Sequence, residues 1–178
     1  MDKIIEFETH DFTEDLCAGN VYLDFLDYAF KQSDYFMLVY VNYYDNGFSC
    51  EMERFKELLS PFEVKTRTDP FWPGIDLVFS LKTTYQVVFY KNVFEAKSVL
   101  AQVNKLSDWS FPNMPQDLAF FKGNQCWFYS VGHEKIATII HTTEDDFDFL
   151  ESHGLAQRAD AFYAPDPDYY TVYDEIIE

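Results

Sequence analysis

The chain has 178 residues, is 48% hydrophobic and 20% aromatic, and sets 31 acidic side chains against 13 basic ones, for a net charge of −18. Disorder needs low hydrophobicity together with high charge, and only the second condition is met, so the composition excludes an unfolded chain. A field of this sign repels nucleic acid and anionic membranes and attracts cationic proteins.

The charge is loaded at the ends: residues 1–60 are net −9, residues 61–135 net +1 and residues 136–178 net −10. Acids appear too early for a secretory signal, and no run of about 18 uncharged apolar residues occurs, as a membrane span requires. Cys17, Cys50 and Cys126 are far apart and show no CxxC spacing. Reduced, mostly buried thiols in a cytoplasmic protein are expected.

The first helix is predicted over Asn20–Gln32, with Val21, Phe25, Ala29 and Phe30 as its apolar stripe and Leu23 and Leu26 alongside. Tyr35–Tyr43 has the aromatic and β-branched content of a strand buried on both faces. Asp45-Asn46-Gly47 signals a turn, and Ser49 reads as the N-cap of a helix over Cys50–Leu59, ended by Pro61. Phe62–Thr68 fits a short strand, and Asp69–Gly74 must be irregular, its two aromatics folding back onto the core. Leu77–Leu81 and Tyr85–Tyr90 read as strands of a hairpin around Lys82-Thr83-Thr84.

Asn92 reads as the N-cap of a helix over Val93–Leu106, and Trp109–Pro115 as a loop. Leu118–Phe121 and Cys126–Val131 frame a hairpin connection, and Lys135–His141 is a further strand. Thr143 opens a capped helix closed by Gly154. The whole is an α+β fold: a mixed, largely antiparallel sheet with three to four helices packed on it. Residues 1–155 make a single domain. Residues 156–178 are an acidic, Tyr-rich tail or extended segment.

Met114-Pro115-Gln116-Asp117-Leu118-Ala119-Phe120-Phe121, then Trp127-Phe128, then Ser130-Val131-Gly132-His133-Glu134, with Trp72-Pro73-Gly74 upstream, form a recognisable series. It resembles a loose family of small uncharacterised proteins from Gram-positive bacteria, some labelled stage III sporulation protein AH. The similarity runs over about residues 72–155, a little under half the chain, and leaves out the acidic ends. It implies a cytoplasmic α+β protein without an established reaction; the label would add a membrane anchor, for which this chain has no matching segment.

Candidate chemistry is thin. His133-Glu134 lacks the second His of a zinc-protease helix, since position 137 is Ala, which leaves His133 as a single acid/base helped by Glu134 or Tyr129. His133 and His141 are too far apart along an extended chain to share a ligand, and His10 and His153 have no partner at diagnostic spacing. Cys50 sits at a helix start, but Glu51 and Glu53 oppose a thiolate. Asp145, Asp146 and Asp148 lack the glycine and distal glutamate of a calcium loop. No catalytic set, cofactor or metal site is expected.

Aromatic residues here neighbour acids, which suits Lys and Arg rather than phosphate. The expected partner-binding residues are Asp145, Asp146, Phe147, Asp148, Asp168, Tyr169, Tyr170, Tyr173, Asp174 and Glu175. They describe a non-enzymatic binding protein of immunity or inhibitor type that masks a basic partner such as a toxin or nuclease, without binding nucleic acid or membrane. Its alternatives are a small enzyme using His133 and a DNA mimic.

Overall fold

Strand alternation sets the layering of the protein, seen here in a computed structural model that describes residues 2–11, 13–75, 82–166 and 170–178. The strands are β1 (Lys3–Glu8), β2 (Tyr35–Asn42), β3 (Glu63–Thr68), β4 (Thr84–Lys91), β5 (Gln116–Lys122), β6 (Gln125–Val131), β7 (Ile136–Ile139) and β8 (Phe162–Tyr163). The helices are α1 (Asn20–Gln32), α2 (Cys50–Leu59), α3 (Phe94–Leu100) and α4 (Glu144–Ser152). The strands form one sheet in the order β3-β4-β2-β5-β6-β7-β1-β8. Every neighbouring pair of these strands runs antiparallel, so the fold is α+β without a parallel component in the described sheet.

Along β2, Phe36, Leu38 and Tyr40 enter one buried cluster, while Met37 and Val39 enter a second on the opposite face. The first cluster lies under the helices: Phe25, Phe55, Leu100 and Phe147 belong to it, one from each helix. The second is covered by irregular chain that carries Trp72, Tyr170 and Ile176. The molecule therefore has three layers, with helices on one side of the sheet and loop plus C-terminal segment on the other.

Local signals place the helices. In α1 the buried stripe is Tyr22, Phe25, Leu26 and Ala29, one residue away from the expected Val21, and Leu23 is exposed. Tyr22 decides the phase: its hydroxyl donates to Leu100 O (2.7 Å) and accepts from Trp109 Nε1 (3.0 Å). Ser49 accepts from Met52 N at 3.1 Å and starts α2 as expected. Helix α3 stops at Leu100, short of the expected Leu106, because Asp108 Oδ2 accepts from the N–H groups of Asn104 and Lys105 and turns the chain. Asn92 does not cap it; its amide donates to Ser33 O and Oγ.

A bulge in the β5–β6 pair opposes Phe120 to Phe128 but Phe121 to Cys126, leaving Trp127 as the extra residue. Trp127 and Phe128 thus both face the helices, and Phe25, Phe120 and Phe128 pack there at centroid distances of 4.8–6.0 Å. The expected strand Leu77–Leu81 lies outside the described residues. Strands β1 and β8 are additions that the sequence reading did not contain.

Candidate functional site

The acids and rings picked out in the sequence fall on two sides of the sheet. Phe147 and Asp146 of α4 are buried. The Asp146 carboxylate is a structural cap, accepting from Tyr28 Oη (2.7 Å), Thr143 N (2.9 Å) and Trp127 Nε1 (3.3 Å). Asp148 shares the Arg158 guanidinium with Glu144 and Glu151, at 3.0, 2.9 and 3.3 Å. Asp145 is exposed. Asp168 and Tyr169 lie outside the described residues. Tyr170, Tyr173, Asp174 and Glu175 belong to the segment laid over the opposite face. Tyr170 is buried there, Asp174 Oδ1 accepts from Cys126 N (3.2 Å), and Glu175 N donates to Asn124 O (2.8 Å).

The structure brings a different set together. Because Ile5 and Phe7 of β1 point to the helices, Ile4 and Glu6 point to the other face. There the N-terminal strand meets the C-terminal rings around two cavities with Tyr170 between them. One, of about 250 Å³, is lined by Asp2, Ile4, Ile140, His141, Tyr170 and Thr171 among others. The second, of about 210 Å³, is lined by Glu6, Gly74, Tyr129, Ile136, Tyr170 and Tyr173 among others. Among the described residues neither lining contains Lys or Arg.

His141 follows β7 with left-handed backbone (φ 56°), and its Nδ1 meets the Asp2 carboxylate. Its Nε2 is buried without a hydrogen-bond partner. Asp174 titrates above the ordinary carboxyl range because of its burial, which outweighs the opposing pull of the Cys126 N–H and of His141. Burial likewise pushes the Tyr129 phenol up, so that hydroxyl stays protonated. The set offers carboxylates, ring faces and neutral hydroxyls: acceptors and π-surface for a cation.

The other sequence candidates are dispersed. His133 and Glu134 sit in a short turn at Gly132–Glu134, each with its side chain 57% exposed, 3.7 Å apart. Tyr129 is instead buried beside Tyr170 and Tyr173. Cys17 and Cys126 are buried, Cys50 is exposed, and burial pushes the Cys17 thiol up to about 12. Among the described residues no three His, Cys, Asp or Glu side chains gather in a metal-binding group, and no helix is long and apolar enough to cross a membrane.

Asp117 is a buried junction with left-handed backbone (φ 60°). Its carboxylate accepts from Trp72 Nε1 (2.9 Å) and Gly132 N (3.0 Å), and burial still raises its pKa. A Cβ on Gly132 would lie 2.1 Å from Trp109 O, so the chain can pass there only as glycine. Trp72, Asp117 and Gly132 come from three of the stretches that carry the sequence resemblance. At this junction they hold the loop, β5 and the turn after β6 together.

No family model matches this chain, and no curated protein or solved structure is found similar to it. Geometry and charge are what speak to function. Of the residues expected from the sequence, Tyr170 and Tyr173 line these cavities; Asp2, Glu6, Gly74 and His141, which line them too, were not among the expected partner-binding residues. The missing signal was alternation in Lys3–Glu8, which sends Glu6 to the face opposite Ile5 and Phe7.

Proposed function

We propose that this chain is a non-enzymatic, acidic, cytoplasmic binding protein of immunity or inhibitor type, and that it masks a basic protein docked on the sheet face away from the helices. The observation that carries this reading is the meeting of Asp2 and Glu6 from one end of the chain with Tyr170 and Tyr173 from the other, around cavities whose described lining holds neither Lys nor Arg. Rings beside carboxylates favour Lys and Arg, and the net charge of −18 speeds encounter with a cationic partner in a salt-sensitive way. The acids of α4 add to the long-range field, while Asp146 and the carboxylates around Arg158 make internal contacts. A DNA mimic has less support, because Arg158 sits among three of the carboxylates such a surface needs.

The test is capture from native lysate at low and high salt with the wild type and with the triple variant Asp2→Asn, Glu6→Gln, Tyr173→Ala. A basic protein retained at low salt, released at high salt and lost with the variant supports the reading. Recovery of no basic protein at low salt, or equal recovery with the variant, overturns it.

A further inference from the structure

We propose that the smaller cavity, between Glu6 and the three tyrosines, is a receptor for a single arginine side chain. This deepens the binding reading above, on which the identification of the ligand's source as a protein rests.

The three rings meet at angles rather than in a stack. Tyr129 and Tyr173 are 5.6 Å apart at 67°, Tyr129 and Tyr170 6.5 Å at 43°, and Tyr170 and Tyr173 6.2 Å at 41°. Rings set this way present faces and edges in several directions, and each face carries the negative lobe of a quadrupole. Glu6, on an exposed strand position, adds a full negative charge to the same lining. An anion is repelled here, and a purely apolar ligand would strip water from the carboxylate without replacing its hydrogen bonds.

The wall is also preformed. Gly74 runs with φ 89° so close to the tyrosine that an added Cβ would stand 2.7 Å from Tyr129 Cδ2 and 2.9 Å from Val131 Cγ2. Tyr129 itself is only 6% exposed, so its ring is fixed before any ligand arrives.

Three cationic groups compete for such a place. A guanidinium is planar, weakly hydrated, stacks on rings and forks onto a carboxylate. A lysine ammonium gives up more hydration to enter. A quaternary ammonium has no N–H for Glu6. The combination of angled rings, one carboxylate and hydroxyls fits the first of these.

Titrating the full chain with N-acetylarginine amide, N-acetyllysine amide and its trimethylated form, while following tyrosine ring resonances by NMR, separates them. The arginine probe is expected to bind about fivefold tighter than the lysine probe. Glu6→Gln should weaken the arginine probe by about tenfold, in a variant whose circular dichroism matches the wild type. Equal binding of lysine, tighter binding of the trimethylated probe, or indifference to Glu6→Gln overturns the proposal. Retention of a basic partner without arginine preference would sink only this pocket; arginine binding without any basic partner would sink only the masking function.

Discussion

Both faces of the sheet bury an aromatic cluster, the larger one under the helices, and the two are closed by different means. The four described helices lock one face, and there two acids of α4 are absorbed into structure: Asp146 caps α4 and ties Tyr28 and Trp127 to it, and Asp148 pairs with Arg158. The other face is closed by chain without long regular elements, held at a few points such as Asp174 to Cys126 N and Arg67 to Ile176 O. On that side Asp2 meets His141 and Asp174 holds Cys126 N, while Glu6 stands exposed at a cavity rim. A negative residue is available to a partner only where the fold has not already claimed its lone pairs, which sequence composition does not reveal.

The comparison can be broken first at the two clusters. Phe120→Ala, under the helices, should lower the unfolding free energy by about 3–5 kcal/mol in urea titrations. Ile176→Ala, in the C-terminal cover, should cost no more than about 2 kcal/mol, since its side chain lies at the edge of the smaller cluster under irregular chain that can collapse. Equal losses would mean that both covers belong to one cooperative unit.

The buried carboxylates sharpen the contrast. Asp146→Ala leaves two side-chain donors and a helix start unpaired and should cost about 2–3 kcal/mol, whereas Asp174→Ala should cost about 1 kcal/mol. Chemical denaturation of the two variants side by side checks the order. Reversal would place the stronger lock on the C-terminal side.

Thiol reactivity reads the covers without unfolding the protein. Cys50 should label at once with a thiol reagent, while Cys17 and Cys126 stay protected. Removing residues 170–178 should expose Cys126, beneath the segment, and leave Cys17 as slow as before. Mass spectrometry of the labelled peptides gives the answer. Protection of Cys126 in the shortened chain would show that the sheet, not the segment, shields it.

The smallest effects are in pH. Asp117 has a raised folded pKa, so the native state holds more protons than the unfolded one between the ordinary carboxyl value and the raised one. Its contribution therefore falls as pH rises through that window and is constant above it. Asp15 is the opposite case: the hydrogen bond from Lys105 lowers its pKa, so stability present above the ordinary carboxyl value is lost as pH falls through the folded one. For this partly exposed pair Asp15→Asn should change stability near neutral pH by less than about 1 kcal/mol and flatten the acid limb. Urea midpoints between about pH 3 and pH 7 distinguish the two slopes.

Helices α1 and α2, both caps at Ser49 and Thr143, and the β5–β6 hairpin were legible because each is set by residues within one turn or one strand. Helix α3 was overrun because the carboxylate that stops it, Asp108, sits beyond the helix and acts backward on two amides. Strand β1 was missed because adjacent Ile4 and Ile5 blur the alternation, and its partners lie near the far end of the chain. The same distance explains the site. Tyr170 and Tyr173 stood out by their acidic neighbours, whereas Glu6, Gly74 and His141 join them only through long-range pairing and packing that no local pattern encodes.

The position of β1 also has a consequence for biosynthesis. Lys3–Glu8 leaves the ribosome well before β7 and β8, the two strands it fits between. Until those strands emerge these residues lack their sheet partners, and for part of that interval β6 presents an open, aromatic border. Sheet closure is then a late event, and a nascent chain stalled before Ile136 is the species in which chaperone capture or clumping should concentrate.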